Sequence, residues 1–181
     1  MLSFWRHGYE TTSIADLTAA MGITAPSIYT AFGDKRRLFL EAMRRYAGDP
    51  TEMDSRLAAA PTARDAARTM LVTAATTFTG EATPQGCLLA SATASGSEAS
   101  ADIRSAVSEV RRGVAALLVD RIDRDVAAKI LPASTNAVAL SDLILAVVQG
   151  MSVLARDGVP RERLLALAEQ AMLAWPDQQP E

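Results

Sequence analysis

The sequence predicts an all-α fold, with a small N-terminal helix-turn-helix head on a larger helical body. Three observations carry this expectation. Alanine and leucine dominate a 181-residue chain that is 49% hydrophobic and only 5% aromatic, a composition that favours helix over strand. Apolar residues recur at three- and four-residue steps through most of its length, the period of a helix with one buried face. Finally, Thr12 to Lys35 (TSIADLTAAMGITAPSIYTAFGDK) reads as two short helices joined by a tight turn, with a third starting at its end. A protein uses that shape to set a helix in the DNA major groove.

Within that segment, Thr12 is placed to cap a helix starting at Ser13, its hydroxyl accepting an otherwise orphan backbone N–H. Ile14, Leu17 and Met21 follow on one apolar face. Gly22 ends the helix where the chain needs positive φ. Thr24 suits the next cap, and Pro26 suits that helix's first turn. Ile28 and Phe32 are expected to point with Ile23 into a small core, leaving Ser27, Tyr29 and Thr30 outward. Gly33 closes this helix, Asp34 caps the next and Leu38 anchors it. The outward set is short and hydrogen-bonding, as phosphate and base-edge contacts require. Lys35 sits at a helix start, where exposed N–H groups also attract anions.

Gly48-Asp49-Pro50 and the alanine-rich stretch to Pro61 read as a junction, since proline and glycine end helices and mark loops. It divides the chain into a head over 1–47 and a body over 48–181. In the body, Thr62 to Phe78 reads as a long helix with Ala66, Met70 and Thr73 or Ala74 on its apolar face. Gly80 to Gly86 is a loop, and Cys87 to about Ser95 a short helix. Ala101 to about Lys129 is a long helix with Ile103, Val107, Val110, Val114, Leu117 and Leu118 inward. Its neighbourhood's carboxylates, Asp102, Glu109, Asp120, Asp123 and Asp125, are expected mostly on solvated faces.

Pro132 to Asn136 breaks the chain, and Val138 to Ala155 follows as a strongly apolar helix with Leu140, Leu143, Ile144, Val147, Met151 and Leu154 in step. Arg161 to about Trp175 is the last helix, carrying Leu164, Leu165, Ala168, Ala171 and Met172. These last two helices either close on the body as a core hairpin or pair with a second copy into a four-helix interface.

Several function classes are poorly supplied. Cys87 is the one cysteine and His7 the one histidine, so no internal disulfide, His/Cys zinc site or Ser-His-Asp triad is expected. Cys87 reads as a small buried hydrophobe. The sequence predicts no catalytic set, no metal and no cofactor, hence no enzyme. No apolar run is expected to reach the roughly 18 residues that span a bilayer. The start MLSFWRHGYE lacks a signal-peptide pattern, so the expectation is a cytoplasmic protein with no membrane partner. Net charge is -3, yet up to Tyr46 six basic residues (Arg6, Lys35, Arg36, Arg37, Arg44, Arg45) face four acidic ones (Glu10, Asp16, Asp34, Glu41). A basic end on an acidic body suits a DNA-reading head. A ligand pocket is expected between the Thr62–Phe78, Ala101–Lys129 and Val138–Ala155 helices, lined by Met70, Thr73, Thr77, Phe78, Leu88, Val110, Val114, Leu117 and Met151. Each of these also reads as plain core packing. Such a lining implies a hydrophobic ligand of modest polarity.

The run Gly8-Tyr9-Glu10-Thr11-Thr12-Ser13, then Met21-Gly22-Ile23-Thr24, Pro26-Ser27-Ile28-Tyr29, Phe32-Gly33-Asp34-Lys35 and Leu38-Phe39, resembles the TetR/AcrR family of transcriptional regulators. Gly86-Cys87-Leu88-Leu89, Gln149-Gly150 and Arg156-Asp157-Gly158 resemble a branch of it more weakly. The resemblance implies an all-helical homodimer with a DNA-binding head, a C-terminal ligand-binding and dimerisation body, and repression relieved by a small molecule, here of unknown identity. It implies backbone contacts from Ser13, Ser27, Tyr29 and Lys35 to a palindromic double-stranded operator. Thr24, Ala25, Pro26 and Thr30 would face the major groove. Ala25 and Ile14 can at best touch a thymine methyl. The first helix departs from the family pattern, because only Leu2 to Arg6 remains of a longer basic element. Ile14, Leu17 and Phe32 are therefore expected to lose apolar cover and some phosphate contacts to be missing, and a start upstream of Met1 is the favoured explanation. The alternative is a small-molecule-binding helical dimer whose truncated head no longer binds DNA.

Overall fold

The computed structural model describes residues 1–93 and 100–176. Among the described residues run ten helices and no strand: α1 Leu2–His7, α2 Ile14–Met21, α3 Ala25–Phe32, α4 Lys35–Ala47, α5 Pro50–Ala59, α6 Ala63–Phe78, α7 Leu88–Ala92, α8 Ala101–Ala127, α9 Ala137–Arg156 and α10 Arg161–Met172. They form two compact units, Met1–Gly48 with Cys87–Val110, and Asp49–Gly86 with Arg111–Glu181.

The first unit is built on an aromatic cluster. Phe4 meets Phe39 edge-on at 5.3 Å, Tyr9 meets Phe39 at 5.2 Å, and Trp5 meets Tyr46 at 4.8 Å. Each such pair adds about 0.5–1.5 kcal/mol beyond the area it buries. Phe4, Trp5, Leu17, Ile28, Leu38 and Phe39 are all buried. The short α1 thus supplies two large rings, and Leu17 keeps its cover, contrary to expectation. Ile14 and Phe32 are only half-buried. Met21 and Ile23, which flank the left-handed Gly22, are each 40% exposed rather than inward.

α1 packs on α7, and the contact closes at Gly8. With φ +84 and an ideal Cβ only 2.8 Å from the Ser91 carbonyl oxygen, this position admits no side chain. α7 is capped by Cys87 and ends at Ala92; the expected end near Ser95 lies outside the described residues. Cys87 is buried, and the Tyr46 hydroxyl donates to its Sγ over 3.4 Å. Burial first, and then the neighbouring thiol, pushes the Tyr46 pKa up.

In the second unit α6 packs against α9 and α10, which also pack on each other. Ala63, Ala66, Ala67, Ala74 and Ala75 line the buried side of α6 beside Leu71 and Phe78. Their small side chains bring backbones close, and Leu71 and Phe78 fill the space between. Ala66 and Ala74 are buried as expected. Leu71 is fully buried, while Met70 is half-buried and Thr73 exposed.

Helix α5 replaces part of the expected junction. Gly48 caps α4, the Asp49 carboxylate accepts from the Thr51 N–H at 2.8 Å, and Pro50 opens the new helix. Proline at a first helical position starts a helix, its missing N–H being one of the orphan donors anyway. Leu57 then buries α5 against α6.

Asp125 also departs from expectation, being buried rather than solvated. Its carboxylate pairs with Arg121 and accepts the Ala63 N–H at 2.6 Å. The Arg121 guanidinium donates to the carbonyls of Leu57 at 3.1 Å, Ala60 at 3.1 Å and Pro61 at 3.2 Å. Two buried charges thus satisfy the irregular backbone between α5 and α6, where helical hydrogen bonds stop.

On α8 Ile103, Val107, Leu118 and Ile122 are the buried apolar positions. Val110, Val114 and Leu117, expected beside them, are half-buried. The helix ends at Ala127, and Lys129 turns to φ 61. α9 is 20 residues long with a window of mean hydropathy 1.9, long and apolar enough to cross a membrane; the sequence expectation missed this run. Within the second unit Ile144, Met151 and Ala155 are buried and Leu154 is exposed. α10 buries Leu164, Ala168 and Met172, and Trp175 remains buried just past its end.

Candidate nucleic-acid interface

The cap of α2 is Ser13, one residue later than expected. The Ser13 hydroxyl accepts from the Asp16 N–H at 3.1 Å, and the Asp16 carboxylate accepts from the Ser13 N–H at 2.8 Å and from its hydroxyl at 2.7 Å. This reciprocal box satisfies two orphan donors. Hydrogen bonds from the Ser13 side chain, then its backbone, hold the Asp16 pKa below the usual carboxylate value. Thr12 instead ties down the turn before the helix, for it is buried and its hydroxyl donates to the Gly8 carbonyl at 2.6 Å. Asp16 was the legible signal, since an acid three residues after a serine marks a cap at the serine.

Gly22 takes φ 66 and ψ 29 at the end of α2, a left-handed turn that costs glycine little. One residue intervenes before Thr24, the cap of α3. The Thr24 side chain makes no cap hydrogen bond; its hydroxyl pairs with that of Ser27 at 2.9 Å. Only Ile28 is buried on α3. Thr24, Pro26, Ser27 and Thr30 are exposed, Ala25 is half-buried, and Tyr29 is 50% exposed. Asp34 caps α4 by accepting the Arg37 N–H at 2.7 Å.

Six of the eight sequence-selected positions, Ser13, Thr24, Pro26, Ser27, Tyr29 and Thr30, are thus exposed on α3 and on the caps that open α2 and α3. Lys35 is placed differently. Its ammonium donates to the carbonyls of Thr12 at 3.0 Å and Tyr9 at 3.1 Å and lies 4.5 Å from the Tyr9 ring centroid. Burial lowers its pKa, against the pull of Glu10. Sequence reasoning also left out the partners of the neighbouring groups. Arg36 pairs with Asp102, and the Ser100 hydroxyl donates to the Glu10 carboxylate at 2.6 Å. These contacts join residues 66 and 90 positions apart, so no local spacing announces them.

The residues proposed for a ligand are dispersed. Phe78 and Met151 are buried in the second unit, Met70, Val114 and Leu117 are half-buried there, and Thr73 and Thr77 face solvent. Leu88 is buried and Val110 half-buried in the first unit. An open groove of about 320 Å³ lies elsewhere in the second unit, lined by Pro132, Ser134, Thr135, Asn136, Ala139, Leu140, Leu143 and Pro176. It shares no residue with the expected set.

Capped short helices around a glycine turn, with a polar face on the second of them, define a helix-turn-helix protein. Residues 3–42 match the family described as bacterial regulatory proteins, tetR family. The HTH-type transcriptional repressor ComR of Escherichia coli is 30% identical over 98% of this chain and 85% of its own length. A cysteine mutant of the TetR family regulator CifR, complexed with 26-bp double-strand operator DNA, superposes with a TM-score of 0.90 at 40% identity, covering 97% of this chain and 92% of that one. A putative TetR transcriptional regulator from Rhodococcus sp. RHA1 gives 0.67 at 37% identity, over 96% of this chain and 93% of that one. The chain belongs to the TetR family and is a DNA-binding transcriptional repressor.

Proposed function

We propose that the repressor acts in the cytoplasm as a homodimer on a palindromic operator and that a small apolar ligand releases it. The observation that carries the DNA contact is the face of α3: one residue buried, and Thr24, Pro26, Ser27, Tyr29 and Thr30 exposed. In this reading residues 1–47 bind DNA, and 48–181 hold the ligand and the partner copy. Ser13, Ser27 and Tyr29 take phosphates; Thr24, Ala25, Pro26 and Thr30 face the groove. The CifR complex with operator DNA supports the reading, since its alignment covers 97% of this chain.

The ligand lies in the second unit against Met70, Phe78, Val114, Leu117 and Met151, none of them fully exposed. It prefers a conformer in which the paired heads are mis-spaced for adjacent major grooves, lowering DNA affinity by population shift. Val138 and Val153 on α9 and Leu173 after α10 are 58%, 57% and 72% exposed, apolar side chains that a two-fold partner packed on the last two helices would cover.

Binding to a duplex of the protein's own promoter region tests the DNA reading. Specific binding that weakens steeply with salt is expected; absence of specific binding overturns it. A ligand that binds the second unit and leaves operator affinity unchanged contradicts the release mechanism. The competing reading, a ligand-binding dimer with an inactive head, predicts no specific binding at all.

A further inference from the structure

Lys35 opens α4, where an exposed ammonium meets a phosphate easily, yet its donors are committed to the protein's own backbone. Nζ donates to the carbonyls of Thr12 at 3.0 Å, Tyr9 at 3.1 Å and Glu10 at 3.5 Å. An ammonium has three N–H donors and no more. The Tyr9 ring covers it at 4.5 Å, and that ring is itself held against Phe39 at 5.2 Å. All three carbonyls belong to the turn between α1 and α2. That turn leads directly into Ser13 and the capping box that opens α2. Its other end is fixed by the approach of Gly8 to the Ser91 carbonyl. A residue of α4 is therefore bonded to the turn that leads into the N-terminus of α2.

We propose that Lys35 is a positioning residue for DNA reading: it holds the Tyr9–Thr12 turn, and so the N-terminus of α2, in place against α4, and does not itself contact phosphate. This rests on the DNA reading above. A compact ammonium can bond three converging carbonyls, whereas a planar guanidinium points its donors in one plane. The role separates from a phosphate contact by counterion release. Losing a phosphate contact reduces the slope of log K against log salt by about one. Losing a brace weakens binding at every salt concentration and leaves that slope unchanged.

The test uses a duplex enriched by the wild-type protein from a random-sequence pool, with wild-type and Lys35→Met proteins titrated across salt. Binding is normalised to the fraction folded by circular dichroism, so that a loss of fold alone does not register. The expected result is roughly tenfold weaker binding, equivalent to a 1.4 kcal/mol difference, with an unchanged slope. A slope lower by about one, or wild-type affinity in the folded fraction, overturns the proposal. Wild-type protein labelled with ¹⁵N-lysine gives a second measurement independent of any variant's folding. The chain has two lysines, and Lys129 is exposed. The Lys35 ammonium is expected to exchange its protons with water at least tenfold more slowly than Lys129, the factor set by a 1.4 kcal/mol cost of opening; equal exchange overturns the brace. If the wild-type protein enriches no duplex, the DNA reading fails instead, and the NMR measurement still decides the brace.

Discussion

The segment Thr12–Lys35 and the second unit use their side chains in opposite ways. In the first, α2 buries only Leu17 and α3 only Ile28. Short polar residues and glycines specify the helix ends, and most of the remaining side chains stay outside. In the second, α6 alone buries seven residues and α9 six, and even the carboxylate of Asp125 is drawn into satisfying backbone. A fold that consumes few side chains leaves the rest to recognise a partner. One that consumes most of them hides its chemistry among packing residues.

The largest test of this contrast is Asp125→Ala. It strands the Arg121 guanidinium in a buried site, and loss of one partner of such a pair costs about 3–5 kcal/mol. Urea unfolding should show a loss of that size; a loss under about 1 kcal/mol would mean that solvent already reaches the pair. Tyr29→Ala should do the reverse. Unfolding stability should stay within about 0.5 kcal/mol, as for a surface substitution, while operator affinity falls roughly tenfold. Equal losses in both measurements would erase the distinction between the regions.

Ser13→Ala removes half of the capping box and should lower thermal stability by about 1 kcal/mol; an unchanged melting temperature would show that water replaces the cap. The smallest effect concerns Asp16, whose folded pKa is lowered by Ser13. Its contribution is therefore present above the unfolded value of about 3.9 and is lost as pH falls through the lower, folded value. A carboxyl NMR titration should place its midpoint below that of an unstructured aspartate, and Ser13→Ala should move it back up.

The same contrast explains what could be read from sequence. Gly22, Gly33 and Asp34 announce helix ends because backbone sterics and capping leave few alternatives there. The exposure of Ser27, Tyr29 and Thr30 follows from the spacing around Ile28. Helix α5 is hard to read from sequence because Pro50 both ends and begins helices, and Asp49, its cap, decides between them. Asp125 was misassigned because an aspartate four residues from an arginine looks like a solvated surface pair. The carbonyls of Leu57, Ala60 and Pro61 around Arg121, and the Ala63 N–H on Asp125 itself, reveal otherwise. Lys35 shows the same limit in the reading segment: its partners lie 23 to 26 residues away. The proposed ligand residues remain illegible for a different reason, since an apolar lining and an apolar core have the same sequence pattern.

Everything proposed for the first unit depends on the exposed face from Ser13 to Thr30 reading duplex DNA. Selection by the wild-type protein from a pool of random duplexes probes that dependence without intermediaries. The expected outcome is enrichment of a palindrome whose half-sites lie about one helical turn, roughly 34–36 Å, apart, and loss of that enrichment on substituting Thr24 and Thr30 by alanine. A pool that stays random under the wild-type protein, or an enriched sequence unaffected by those substitutions, would show that the face does not read DNA.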